Sequence, residues 1–104
     1  MSRAQLVQPR CASIIVPVDT LEPEPIEIVK PFHVVVQPYE DEFVATFFDA
    51  NISATGCTEQ EAVANVKDMI VMEFNFLEPK ADKDLGAALR RERSVLCAML
   101  KRRR

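Results

Sequence analysis

Glycine, histidine and tryptophan are scarce in this chain: 104 residues contain two glycines, one histidine and no tryptophan. Gly56 and Gly86 stand far apart, so there is neither a P-loop nor a dinucleotide-binding glycine fingerprint. His33 has no serine or cysteine placed beside it in sequence to act as a nucleophile, and a lone histidine on a strand reads as packed or partly exposed. The three cysteines, Cys11, Cys57 and Cys97, are odd in number, scattered, and without C-x-x-C spacing. They read as reduced thiols, neither a disulfide framework nor a zinc site. No apolar run approaches the roughly 20 residues that span a bilayer. The run Ala12 to Val18 contains Pro17 and lacks a clear small-residue cleavage site, a poor signal peptide. A cytoplasmic protein that meets no membrane and needs no metal or cofactor is expected.

What is present is a hydrophobic fraction of 48%, enough for one small globular domain. The modest net charge conceals an asymmetry. Through Pro79, four basic residues stand against thirteen acidic ones; from Lys80 onward, nine basic residues stand against three acidic. The chain is an acidic body with a basic tail.

Residues 1–25 read as an extended N-terminal arm, because Pro17, Pro23, Pro25, Glu22 and Glu24 surround the one apolar stretch, Ser13 to Val16. Residues 26–79 read as an α+β domain. Ile26 and Ile28 alternate with Glu27 and Val29, and Pro31 marks an edge or a break. Phe32 to Gln37 is the clearest strand, with Phe32, Val34 and Val36 on one face and His33, Val35 and Gln37 on the other. A polar turn, Pro38 to Glu42, leads to a returning strand, Phe43 to Phe48. Ile52 to Thr55 makes a further antiparallel strand, giving a three- to four-stranded β-meander. Val35, Val44 and Phe48 on the second sheet face, beside His33 and Thr46, are too apolar for full exposure, so partial cover is expected.

The meander runs into Gly56-Cys57-Thr58-Glu59-Gln60-Glu61-Ala62. Thr58 is the expected N-cap and Glu61 completes a capping box, with Gly56 supplying permissive backbone before it. Ala62, Val63, Val66, Met69, Ile70, Phe74 and Leu77 then recur at helical spacing, and Pro79 ends the helix. Val71 and Met72 fall outside this stripe and Glu73 inside it. Either a second helix or another protein covers Val71 and Met72. Residues 80–104 read as a linker, a C-terminal helix from Leu85 to Leu100 capped by Asp84, and a basic tail. Leu85, Ala88, Leu89, Leu96 and Met99 form its apolar side; Arg90, Arg91 and Arg93 lie mainly opposite.

The order strand, hairpin, strand, G-x-T-x-x-E-A and long helix resembles the HicB-like antitoxin family over about residues 32–77. The resemblance rests on Gly56, Thr58, Glu61 and Ala62, with Phe43-Val44-Ala45-Thr46 following the acidic turn Glu40-Asp41-Glu42. It implies a partial ribonuclease-H-like fold without hydrolytic activity, which binds and masks HicA, a small toxin that cleaves messenger RNA. Cys57 stands where the family usually has an acidic residue, and the N-terminal arm lies outside the family's core motif. Residues 80–104 are too short for a helix-turn-helix or a complete ribbon-helix-helix unit, so operator binding is not expected.

Three functional readings follow. The first is a non-catalytic protein-binding module whose acidic body suits a basic HicA-like toxin. Its candidate interface is Val44, Thr46, Phe48, Val71 and Met72. The second is nucleic-acid binding through Arg90, Arg91, Arg93, Lys101, Arg102, Arg103 and Arg104. The third is a solitary homodimer or higher homo-oligomer without a toxin. A metal-dependent nuclease is disfavoured, because Glu40, Asp41 and Glu42 share one turn and Asp49 lies at the far end of the same strand.

Overall fold

The computed structural model describes residues 13–103. Six strands and two helices follow in order: β1 Ile14–Val18, β2 Ile26–Ile28, β3 Phe32–Tyr39, β4 Glu42–Phe47, β5 Ile52–Gly56, α1 Glu59–Leu77, α2 Ala87–Met99 and β6 Leu100–Arg102. The fold is α+β: a four-stranded antiparallel sheet ordered β1-β3-β4-β5, and a second sheet pairing β2 with β6.

Alternation sets the faces of the main sheet. Phe32, Val34 and Val36 of β3 and Ala45 and Phe47 of β4 are buried, and α1 packs on this side, mainly over β5 and β4. Ala45 lies opposite Ala54, and α1 brings fully buried Ala62 to this side. Small side chains at these positions permit a close approach. Phe32 and Phe47 add a tilted ring pair with centroids 4.6 Å apart. The helical stripe is buried at Ala62, Val66, Ile70, Phe74 and Leu77, with Val63 and Met69 partly so.

The hairpin between β3 and β4 is tighter than its composition predicts. Pro38 stays in the strand opposite Phe43, and Tyr39 pairs with Glu42, leaving Glu40 and Asp41 as a two-residue loop. Glu40 takes a positive φ of 56° there.

Three further expectations are revised. The solvated arm of residues 1–25 becomes part of the fold over its described portion, since Ile14–Val18 pairs with Phe32–Val36, and Val18 and Leu21 enter the core. Its remaining residues, 1–12, lie outside the described residues. The second helix starts later than Asp84: Asp82–Asp84 form one 3-10 turn, Leu85 is extended and buried, and Gly86 is the N-cap without a side-chain bond. Ala88 and Leu89 are exposed, so α2 anchors through Leu96 and Met99. The tail does not hang free. Leu100–Arg102 leaves α2 as a strand opposite Ile26–Ile28, and the Arg103 amide donates to the Pro25 carbonyl at 2.8 Å.

Candidate functional site

The G-x-T-x-x-E-A segment is built as a structural joint. The Glu61 amide donates to Thr58 Oγ1 at 3.0 Å. The Glu61 carboxylate accepts in return from the amide of Cys57, one residue before the expected partner. Gly56 does not use the left-handed freedom expected of it. A Cβ at this position would lie 2.4 Å from the Ala62 nitrogen and 2.8 Å from the Glu61 carbonyl carbon. It is a glycine because the helix backbone crosses directly against it.

The other face of the sheet is open over Gln37, Val44 and Thr46, with no helix among the described residues packed across it in the way α1 packs on the first face. Val35, Val44 and Thr46 are half-buried, and at the Phe48 end α2 flanks the face, where Met99 lines a cavity with Val35 and Phe48, and Ala88 and Arg91 line one with Phe48. Cross-strand rows run Ile15, Val35, Thr46, Ser53 and Gln37, Val44, Thr55. None of these side chains is charged. Tyr39 is 62% exposed and Phe48 63% exposed at opposite ends of this face. The exposed acidic turn Glu40, Asp41 and Glu42 borders the Tyr39 end, and exposed Asp49 follows Phe48.

The five interface residues proposed from sequence do not form one surface. Val44, Thr46 and Phe48 lie together on the open face. Val71 and Met72 belong to α1, on the opposite side of the sheet. Val71 is buried, facing a cavity of about 150 Å³ that Leu21 and Pro23 also line, so the segment before β2 stands over it. Met72 is exposed beside Phe76, and Lys80 Nζ lies 4.4 Å from the Phe76 ring centre. Ile15 and Tyr39 extend the open face beyond the sequence reading. The signal for Ile15 is the short β-branched run Ile14 to Val16, which suits a strand, whereas the prolines around it point to a solvated arm.

Three of the six arginines proposed for nucleic acid, Arg90, Arg93 and Arg102, are engaged within the chain. Arg90 Nη1 donates to the Leu85 carbonyl at 2.7 Å. Arg93 donates to the Lys80 carbonyl and pairs with Asp82. Arg102 donates to Asn75 Oδ1 at 2.9 Å and Glu78 Oε1 at 3.2 Å, with its guanidinium 5.3 Å from the Phe74 ring centre. These contacts hold the linker and β6 against the helices. Arg91, Lys101 and Arg103 are exposed, and Arg104 lies outside the described residues.

No group of three or more histidine, cysteine, aspartate or glutamate side chains among the described residues is placed to hold a metal ion. Likewise, no helix among them is long and apolar enough to cross a membrane. His33 is exposed and lines an open cavity of about 310 Å³ with Lys30, Phe48 and Asp49. Burial and the nearby Glu78 push the Cys97 thiol up, away from the thiolate form a nucleophile needs. Cys11 lies outside the described residues.

One perturbed carboxyl was not foreseen. Glu92 of α2 meets Glu73 of α1, the charged residue inside the helical stripe, and its carboxyl is raised from 4.5 to about 7. Desolvation leads, followed by hydrogen bonding to Glu73 and repulsion from its charge. Glu92 Oε2 is buried without a hydrogen-bond partner among the described residues. A proton on Glu92 turns the pair into donor and acceptor.

No family model, curated protein or solved structure matches this chain.

Proposed function

We propose that this chain is a non-catalytic protein-binding module of the HicB antitoxin kind, which masks a small basic RNA-cleaving protein. The observation that carries the reading is the open sheet face: uncharged rows with exposed Tyr39 and Phe48 at its ends, bordered by acidic Glu40, Asp41 and Glu42 at the Tyr39 end and by Asp49 with Lys30 and Arg91 at the Phe48 end. An apolar centre with aromatic anchors and a charged rim is the anatomy of a protein interface, and the acidic turn at the Tyr39 end favours a basic partner. The capped joint at Gly56, Thr58, Glu61 and Ala62 supports the family resemblance. The intramolecular engagement of Arg90, Arg93 and Arg102 weighs against nucleic-acid binding as the main activity.

A tagged pull-down from native cytoplasm tests this, with nuclease treatment in one arm. The expected result is a small basic protein retained after nuclease, whose RNA cleavage falls on adding the purified chain and returns with the Val44→Lys variant. Partners lost on nuclease treatment, or a retained protein whose activity the chain leaves untouched, would refute the reading.

A further inference from the structure

Each helix places one glutamate where its apolar stripe calls for a hydrophobic residue. On α1, Glu73 stands in register with buried Val66, Ile70 and Leu77; on α2, Glu92 stands in register with buried Leu96 and Met99. The fold brings the two carboxyls together between the helices, and Glu92 Oε2 is shut from solvent with no hydrogen-bond partner among the described residues. Two carboxylates in such a contact repel each other, whereas a protonated Glu92 donates to Glu73. An apolar pair would close the helices at every pH. The glutamates make closure depend on a proton.

Between its two ends α2 is lightly held. Leu85 ahead of it and Leu96 and Met99 at its far end are buried, whereas Ala87 to Arg91 are exposed. The bonds of Arg90 and Arg93 run to Lys80, Asp82 and Leu85, so these cations serve the linker. Facing Glu92 are Glu73 from α1 and, across a cavity of about 320 Å³, Asp49 from the turn after β4. Arg91 and Phe48 line the same cavity. An ionised Glu92 can leave Glu73 for this cavity, where Arg91 favours it, Asp49 opposes it and solvent reaches it. Met99 lines the second cavity beside Phe48, with Lys30, His33 and Asp49. A displacement of α2 therefore reshapes both sides of Phe48.

We infer that Glu73 and Glu92 form a proton-operated clasp. Protonated, Glu92 bonds to Glu73 and holds α2 against α1; having lost that proton to solvent, it turns into the cavity beside Phe48 and α2 loosens. The raised Glu92 carboxyl, near 7, puts the change in the neutral range. Opening of the clasp alters the Phe48 end of the open face. This goes beyond the proposed function and is a property of the isolated chain, with or without a basic partner.

Nuclear magnetic resonance of the full chain from acid to mildly alkaline pH tests it, following side-chain carboxyl carbons, backbone amides, and amide exchange corrected for its intrinsic pH dependence. Glu92 is expected to titrate near 7, and the amides of Phe48 to Asn51 and of Ala88 to Glu92 to move with the same midpoint. Corrected exchange in α2 should rise about tenfold across it. Glu73→Gln offers an amide donor to the ionised Glu92, so the Glu92 midpoint is expected to fall by about one pH unit or more and the α2 response to vanish. Glu92→Gln should abolish the α2 response as well. Because an imidazole changes charge over the same range, the series is repeated in His33→Asn, where the responses are expected to persist. A Glu92 midpoint in the ordinary carboxylate range, or α2 exchange independent of pH, would overturn the inference. So would a midpoint unmoved by Glu73→Gln, or amide shifts at Phe48 to Asn51 that disappear with His33.

Discussion

Replacing Gly56 with alanine tests the joint on which the domain turns. The added Cβ would meet three backbone atoms, the Ala62 nitrogen at 2.4 Å, the Glu61 carbonyl carbon at 2.8 Å and Ala62 Cα at 2.9 Å. None can rotate away as a side chain would, so the first turn of α1 must move off β5 by about 1 Å to reach ordinary contact. Overpacking of this kind costs about 1–3 kcal/mol. The shift also loosens the bonds among Cys57, Thr58 and Glu61, for about 1 kcal/mol more. The expected loss is about 2–4 kcal/mol, a large part of the roughly 5–15 kcal/mol that holds a domain of this size. The corresponding fall in Tm is about 10–25 °C. Urea denaturation followed by circular dichroism measures it, with Gly86→Ala as the control. At Gly86 an added Cβ meets nothing within 4 Å among the described residues, and the change is expected to stay within about 0.5 kcal/mol. Stability of Gly56→Ala within about 0.5 kcal/mol of the parent would refute the close-approach argument.

Gly86→Asp supplies the side-chain cap that α2 lacks and is expected to raise stability by about 0.5–1 kcal/mol in the same assay. The Glu92 carboxyl has a folded value near 7 against an ordinary 4.5, so the native state holds more protons than the unfolded one between those limits. Stability should therefore fall as pH rises through that window. The whole displacement corresponds to about 3 kcal/mol, which solvent access to the pair reduces to about 1–2 kcal/mol. Glu92→Gln should flatten this slope and raise stability above pH 7, read from denaturation midpoints at a series of pH values. Arg102→Ala removes the bonds to Asn75 and Glu78 and the contact with Phe74, and should cost about 1–2 kcal/mol. Faster amide exchange in β2 and β6 should accompany it, and unchanged exchange would show that β6 does not depend on this anchor.

The meander and its helix were legible because their signals are local. Phe32, Val34 and Val36 alternate at period two, the stripe from Ala62 to Leu77 repeats at helical spacing, and Thr58 with Glu61 marks the cap; each pattern lies within a few residues of chain. The pairings of β1 and β6 were not legible. Five residues around a proline and three at the end of a helix become strands only when β3 and β2 offer backbone partners, and those partners lie far away in sequence. The candidate interface was half legible for the same reason. Val44, Thr46 and Phe48 share a face by alternation, whereas joining them to Val71 and Met72 required knowing which side of the sheet α1 takes.

The sequence alone determined the α+β class, the two faces of the sheet, the helix cap and the acidic body with its basic tail, since these follow from periodicity, capping chemistry and charge count. Tertiary structure decided that Gly56 answers to the backbone of Ala62, that α1 and the second sheet face lie on opposite sides, and that Arg90, Arg93 and Arg102 bind their own chain. It also decided that Glu92 comes against Glu73, where burial together with that neighbour pushes the Glu92 carboxyl up. Each of these depends on which distant residues come within a few ångströms, and only the closed chain brings them there.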